Sequence, residues 1–240
     1  MVLEYDGAGY HGWQRQKDLT TVQQVLEDVV YRITSEKVAI CGSGRTDAGV
    51  HALQQTAHFK TDSCIGAANL LAGINSLLPD DIVVKDLREV AESFHARFDV
   101  KSKVYMYQIL NGPTRSAVYR NYAWYVRRPL DLIEMTKGLA VLQGSHDFTA
   151  FCGKKEGNYN CVRTIKNARL EKKPSGMISI YLEANGFLRY MVRSLVGTLV
   201  EVGRGKKTPA ELFAILQAGE RKNAGMTAPP QGLFLVEVNY

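Results

Sequence analysis

The chain has 240 residues, of which 45% are hydrophobic and 22% are charged. This composition supports a buried core in one large or two small domains, and it excludes an intrinsically disordered chain. No apolar run is long enough to span a membrane, and no basic segment followed by an apolar stretch marks a signal peptide. The net charge of +6 is compatible with a nucleic-acid partner but equally with an ordinary basic surface.

The four cysteines, at positions 41, 64, 152 and 161, show no Cys-x-x-Cys spacing and no histidine at zinc-finger distance. We therefore expect reduced cysteines in a cytoplasmic protein and no metal site.

The first hundred residues alternate helix and strand patterns. Apolar residues at helical spacing predict an amphipathic helix over 21–33, with Thr21 and Gln24 as a capping box. A strand ending at Ile40 and a half-buried strand over 51–60 follow, the latter with Leu53, Gln55, Ala57 and Phe59 on one face. A short helix over 67–79 ends at a proline.

The remaining chain also alternates helix and strand patterns. A strand over 103–112 carries Tyr105, Tyr107 and Ile109 on one face. Helices are expected over 131–144, with Asp131 as cap, over 187–203, closed by Gly203, and over 208–219, with Thr208 as cap. Strands are expected over 177–186 and 232–238.

The mixture predicts an α+β protein of two similar α/β-sandwich halves, of the ferredoxin or RRM type, sharing a central and mostly antiparallel sheet. We expect an N-terminal domain over 1–102 and a C-terminal domain over 103–240.

The sharpest feature is the glycine-rich stretch CGSGRTDAGVHA, which begins at Cys41. Its spacing matches neither the dinucleotide fingerprint nor the P-loop, and a strand rather than a helix follows it. A surface salt bridge between Arg45 and Asp47 is one interpretation. In the other, the glycines let another backbone approach closely, and Asp47 is a nucleophile or base kept ionised by arginines.

Five segments together resemble the TruA-type tRNA pseudouridine synthases, in the order found in that family. They are EYDGAGYHGWQRQ from Glu4, GRTDAGVHA from Gly44, FHARFDVKSKVYMYQI from Phe94, GFLRYMVRSLVGTLVEVG from Gly186 and APPQGLFL from Ala228. The resemblance implies a pseudouridine synthase fold, a homodimer, and conversion of uridines 38, 39 and 40 in the anticodon stem-loop of tRNA. It also implies that no metal or organic cofactor takes part.

The resemblance assigns the catalytic roles to Asp47, Arg193 and Tyr105. Asp47 would be the nucleophilic carboxylate, Arg193 its positive partner, and Tyr105 the ring that stacks on the target uracil. From the residues alone, Arg193 could instead be an arginine whose stem covers the core beside a buried helix stripe, and Tyr105 a core aromatic.

Further substrate contacts are expected from residues in the family segments and in basic runs. Arg45 would hold open the place of the flipped base, and Leu233 would pack against the uracil, although it could equally be a strand core residue. The other candidates are Gln14, Arg15, Arg97 and Arg189. Four basic runs near the family segments, HGWQRQK, HARFDVKSK, YVRRP and GRGKK, fit an RNA footprint, although any single run is usually a solvated face.

Two other function classes remain open at this point. A non-catalytic RNA-binding protein or tRNA-folding chaperone would keep the basic surface but would not need Asp47, Arg193 and Tyr105 together. An enzyme that binds a nucleotide at the glycine loop is disfavoured by the motif mismatch.

Overall fold

The computed structural model describes residues 1–153 and 160–240. The chain divides into two compact units, one made of Met1–Lys101 with Phe234–Tyr240, the other of Ser102–Leu233. Helices and strands alternate in both, which confirms the α+β class. Among the described residues, no helix has the length and apolar character needed to cross a bilayer.

The first unit contains two helices and a small mixed sheet. Its elements are β1 (Val2–Tyr5), α1 (Val22–Thr34), β2 (Cys41–Gly42), β3 (His51–His58), α2 (Ala67–Leu77), β4 (Ile82–Asp86) and β10 (Leu233–Asn239), whose first residue belongs to the second unit. The strands lie in the order β4-β1-β3-β10. β1 runs antiparallel to β3 and β4, β2 runs antiparallel to β3, and β10 runs parallel to β3.

The predicted facing of β3 is wrong at Leu53, whose side chain is 39% exposed, whereas Ala52, Gln55 and Ala57 are buried. The reason is a bulge. Leu3 pairs with Gln55 but Tyr5 pairs with Ala52, so β3 has one more residue than β1 over this stretch. An extra residue breaks the two-residue alternation and turns Leu53 outward.

The prediction of a strand that ends at Ile40 is also wrong, because strand pairing with β3 begins only at Cys41. The backbone of Ile40 is bonded to the first helix instead. Its amide donates to Glu27 Oε1 at 3.1 Å, and its carbonyl accepts from Gln23 Nε2 at 3.0 Å. Side chains of α1 thus satisfy the backbone groups that a strand would have used.

In the described part of the second unit, three helices pack with a mixed set of strands. Its elements are β5 (Ser102–Asn111), β6 (Trp124–Val126), α3 (Leu132–Ala140), β7 (Gly144–Asp147), β8 (Val162–Lys172), β9 (Met177–Ala184), α4 (Met191–Gly203) and α5 (Pro209–Ala218). The strands β5, β9, β8 and β7 are neighbours in that order and antiparallel, and β6 pairs with β5 in parallel.

The three predicted cap residues are confirmed, although in the first unit Thr21 accepts only from the amide of Gln24 and the reciprocal bond of the predicted capping box is not formed. Thr21, Asp131 and Thr208 each accept a hydrogen bond from a backbone amide of the first turn. Thr208 and Glu211 form the complete capping box. These starts could be predicted because a cap is a contact between residues two or three positions apart.

The helix predicted over 187–203 begins four residues later, at Met191. Tyr190 has a left-handed backbone, with φ of 64°, which a helix cannot contain. The carbonyl of Arg189 accepts from the amide of Gly153 at 2.9 Å. A contact 36 positions away in sequence therefore replaces the first turn of the expected helix. Its end at Gly203 is confirmed.

Candidate active site

The loop that carries Asp47 lies between β2 and β3 in the first unit. Its middle alternates in exposure: Arg45 is exposed, Thr46 is buried, and Asp47 is half-buried. The amide of Val50 donates to the carbonyl of Asp47 at 3.1 Å. Gly49, with φ of 75°, has the left-handed conformation that this tight return favours.

Hydrogen bonds among four buried polar side chains hold the loop in place. Ser43 Oγ donates to Gln55 Oε1 at 2.6 Å, and Gln55 Nε2 donates to the carbonyl of Gly44 at 2.9 Å. The hydroxyls of Tyr5 and Thr46 are 2.8 Å apart and hydrogen-bonded. Burial raises the pKa of Tyr5 to about 12, so this phenol is neutral at physiological pH. Asp47 is therefore presented on a preorganised backbone.

A second backbone segment packs against the same loop, as the glycine-based interpretation predicts, but the decisive glycine is Gly12. The amide of Trp13 donates to the carbonyl of Thr46 at 3.1 Å. A Cβ on Gly12 would lie 2.7 Å from that carbonyl oxygen and 3.1 Å from the carbonyl carbon of Asp47. Gly12 also has φ of 91°, so both space and conformation favour glycine.

Gln14 and Arg15 follow Gly12 and Trp13 in this second segment, and both contact α1. Gln14 Nε2 donates to Gln23 Oε1 at 2.7 Å. Arg15 Nη1 lies 2.9 Å from Glu27 Oε2, and its side chain is 49% exposed. The Glu27 side chain is only 11% exposed, so this ion pair is partly buried and helps to hold the segment against α1.

In the second unit, Arg193 is half-buried near the start of α4 and is linked twice to Ala228. Its Nε donates to the carbonyl of Ala228 at 2.7 Å, and its own carbonyl accepts from the amide of Ala228 at 3.0 Å. Val192 and Leu195 beside it are buried, as the stripe predicted. The guanidinium is therefore directed by a hydrogen bond and does not merely extend into solvent.

Arg189 and Arg193 both lie over the ring of Tyr190. The guanidinium carbon of Arg193 lies 5.2 Å from its centroid, and that of Arg189 lies 4.8 Å from it. Arg189 is exposed and Arg193 is half-buried. The two arginines are thus linked through an aromatic ring and not by successive turns of one helix, since Arg189 precedes α4.

Tyr105 and Tyr107, which share one face of β5, are both buried. Tyr107 is fully buried, and its hydroxyl donates to the carbonyl of Pro229 at 2.7 Å. Burial raises the pKa of Tyr107, while the charge of Arg193 lowers it in part. Tyr105 is 7% exposed and meets Phe187 edge-on at a centroid distance of 5.0 Å. Leu233 is buried where β10 begins.

Arg97 lies apart from these residues in sequence, in a turn over 94–99 of the first unit. Its side chain is exposed, and its guanidinium carbon is 5.7 Å from the ring centroid of Phe98. Within the first unit, the structure thus joins the Asp47 loop to the segment of Gln14 and Arg15. Within the second unit, it joins Arg193 to Arg189.

Cys41, His58 and His95 are the residues of the described chain best placed to hold a metal, since their ligand atoms lie within 4.8 Å of one another. Their hydrogen bonds oppose that use. The amide of Ala96 donates to His58 Nδ1 at 3.2 Å, and the amide of Arg97 donates to His95 Nδ1 at 3.1 Å. A neutral imidazole that accepts at Nδ1 carries its proton on Nε2 and has no lone pair there for a metal.

Sequence reasoning missed the residues that support the loop: Tyr5, Gly12, Trp13, Thr46 and Gln55. One signal was available. Gln55 was placed on the inner face of its strand, and a polar residue on a buried face needs hydrogen-bond partners. The others lie within two of the family segments, but their supporting role could not be predicted from the sequence because their partners are distant along the chain.

Comparison with known proteins identifies the family of this chain. A family model described as tRNA pseudouridine synthase matches residues 1–99 and 139–240. A protein of Thermoanaerobacter sp. (strain X514) named tRNA pseudouridine synthase A is 47% identical over 240 residues, covering 100% of this chain and 98% of the relative. With the same coverage, tRNA pseudouridine synthase A of Ruminiclostridium cellulolyticum is 45% identical, and tRNA pseudouridine synthase A 2 of Clostridium perfringens is 44% identical. The chain therefore belongs to the tRNA pseudouridine synthase family, a family of isomerases.

Proposed function

We propose that this chain converts uridines 38, 39 and 40 in the anticodon stem-loop of tRNA to pseudouridine. We further propose that it acts as a cytoplasmic homodimer and that each of its two units is one half of a pseudouridine synthase fold. The domain bounds expected from the sequence, 1–102 and 103–240, differ from the compact units mainly because Phe234–Tyr240 joins the first unit. Family membership supports the reaction, and the five family segments support the choice of substrate site.

The reaction breaks the bond between N1 of uracil and C1′ of ribose, turns the uracil, and joins C5 to C1′. C5 loses a proton and N1 gains one, so no oxidant or reductant is consumed. The protein must unstack the uridine, supply a carboxylate, hold the detached uracil and remove the C5 proton.

Asp47 is the proposed carboxylate. The observation that carries this assignment is its position on a loop held by Tyr5 and Gln55, half-buried while its neighbour Arg45 is exposed. A nucleophile on a fixed backbone loses little freedom when the substrate binds. Arg45, which can reach solvent, is proposed to occupy the space vacated by the flipped base.

Arg193, Tyr105 and Leu233 are the proposed partners in the reaction. The positive charge of Arg193, directed by its bond to Ala228, would keep Asp47 ionised. Tyr105 would stack on the target uracil, a contact worth roughly 1–3 kcal/mol, against a few kcal/mol needed to unstack a base. One ring is therefore insufficient to flip the base. Leu233 would contact the other side of the uracil.

Gln14, Arg15, Arg97 and Arg189 are proposed to contact the RNA. Three of them are exposed arginines, and Gln14 is half-buried. Arginines that neutralise phosphates release counterions, so the affinity for tRNA should fall steeply as salt rises, with a log–log slope of several units. An affinity that does not change between low and moderate salt would contradict an RNA substrate.

The deciding experiment uses unmodified tRNA transcripts and purified protein. Carbodiimide labelling followed by primer extension maps each pseudouridine that is formed. We expect signals at 38, 39 and 40 with the wild type and none with Asp47→Asn. Binding of tRNA by the wild type without any pseudouridine would instead support the RNA-binding or chaperone alternative.

A further inference from the structure

The most exposed aromatic side chain of the described residues is Phe98, in the turn over 94–99 of the first unit. Its side chain is 73% exposed. The ring is stacked on the imidazole of His95, with centroids 4.2 Å apart and planes 30° from parallel. The guanidinium carbon of Arg97 lies 5.7 Å from the same ring centroid. An exposed ring, a ring stacked on it and a cation beside it thus form one cluster.

The backbone of this turn is held by a dense set of hydrogen bonds. The amides of Phe98 and Asp99 both donate to the carbonyl of His95 at 3.1 Å. Asp99 Oδ2 accepts from the amide of His95 at 2.7 Å. The amides of Arg97 and Phe98 donate to His95 Nδ1 at 3.1 and 3.3 Å. The imidazole beneath Phe98 is therefore fixed in both position and tautomer.

The turn is anchored to the rest of the unit through Ala96, which is fully buried. Its carbonyl accepts from the hydroxyl of Tyr240 at 2.7 Å, and its amide donates to His58 Nδ1 at 3.2 Å. The ring of Phe94 packs on Tyr240 at a centroid distance of 5.1 Å. Phe98 is thus the one aromatic of this turn that its own unit leaves in water, on an otherwise ordered support.

We propose that Phe98 and Arg97 form a stacking site for an unpaired base of the tRNA other than the target uridine. The ring of Phe98 would take the base, and Arg97 would take the phosphate or share the stack. This inference rests on the proposed function, which supplies the RNA. It adds a second point of contact, formed wholly by the first unit.

The chemistry of the cluster favours a nucleotide over an apolar protein surface. A stacked pair of rings presents a flat π-face, which any nucleobase can cover. The neighbouring guanidinium would be costly to bury against an apolar partner but is matched by a phosphate. The carboxylate of Asp99 accepts from the amide of His95, which fixes this negative charge within the turn.

The test measures the dissociation constant of full-length tRNA at several salt concentrations for four variants. Phe98→Ala and Phe98→Leu should each bind about tenfold more weakly, with an unchanged salt slope, because a phenyl ring neutralises no phosphate. Phe98→Trp should bind as well as the wild type, and base stacking should quench its added fluorescence. Arg97→Ala should reduce the salt slope by about 1.

Tyr31→Ala is the matched control, since Tyr31 is an aromatic residue of the same unit and is 47% exposed. It should leave tRNA affinity unchanged. Circular dichroism should show that each variant folds, as expected for exposed positions.

Wild-type affinity for Phe98→Ala would overturn the proposal, and so would equal binding by Phe98→Leu and Phe98→Trp. A change in oligomeric state by analytical ultracentrifugation, with tRNA affinity unaltered, would overturn it in favour of a contact between copies of the chain. A failure of the proposed function is detected by a different measurement, which maps the pseudouridine formed in tRNA by the wild-type protein. At saturating tRNA, Phe98→Ala should retain a kcat close to that of the wild type.

Discussion

The hydroxyl of Tyr5 lies 2.8 Å from the hydroxyl of Thr46, the residue that immediately precedes Asp47. Both side chains are buried, at 3% and 6% exposure. The first strand of the chain thus fixes, from 41 positions away, the backbone from which the candidate nucleophile projects.

Tyr5→Phe removes this bond and leaves the Thr46 hydroxyl short of a partner in a buried place. We expect the free energy of unfolding to fall by about 1–3 kcal/mol and kcat to fall with little change in tRNA affinity. Urea unfolding and single-turnover assays measure the two effects. Tyr31→Phe, at an exposed position, is the control. An equal loss of kcat in that variant would contradict the proposed role of the Tyr5 hydroxyl in positioning the Asp47 loop.

The same variant has a defined alkaline behaviour. Burial raises the pKa of Tyr5 from about 10 to about 12. The unfolded chain therefore loses the proton first, and the stability associated with neutral Tyr5 is complete below pH 10 and is lost as pH rises towards 12. The difference in unfolding free energy between wild type and Tyr5→Phe should shrink between about pH 10 and about pH 12. A constant difference would contradict the burial of an un-ionised phenol.

Gly12→Ala tests the close approach of the second segment to the Asp47 loop. The new Cβ would lie 2.7 Å from the carbonyl oxygen of Thr46, on a residue with φ of 91°. We expect a loss of at least about 1 kcal/mol of stability and a marked loss of activity. Gly112→Ala is the matched control, because a Cβ there meets nothing within 4 Å. Similar unfolding midpoints for both variants would rule out this role for Gly12.

Asp47→Asn tests the nucleophile with almost no change in shape. Turnover should fall on the order of 10⁴-fold or more, as for the loss of a sole covalent catalyst. The affinity for tRNA should barely change, since phosphate contacts dominate it. Pseudouridine formation by this variant at close to the wild-type rate would refute the assignment.

Arg193→Met keeps much of the stem and removes the charge. If that charge keeps Asp47 ionised, activity at neutral pH should fall sharply, and the acidic limb of the pH–rate profile should move to higher pH. Arg193→Lys should restore less than its charge suggests, because lysine cannot reproduce the Nε bond to Ala228. A purely structural role would lower the whole profile without moving its limb.

Much of the secondary structure was predictable because its determinants are local. The starts of α1, α3 and α5 depend on Thr21, Asp131 and Thr208, each bonded to an amide two or three residues ahead. The family motif likewise singled out Asp47 as a candidate without any coordinates.

The sequence by itself therefore determined the α+β class, the capped helices and the loop that carries Asp47. The tertiary structure decided that α4 begins at Met191, that Leu53 turns outward, and that Tyr5 and Gln55 hold the loop. These features depend on hydrogen bonds and strand register between residues far apart in the chain. Periodicity and cap residues report only neighbours within a turn or two, so contacts of that range leave no such signal in the sequence.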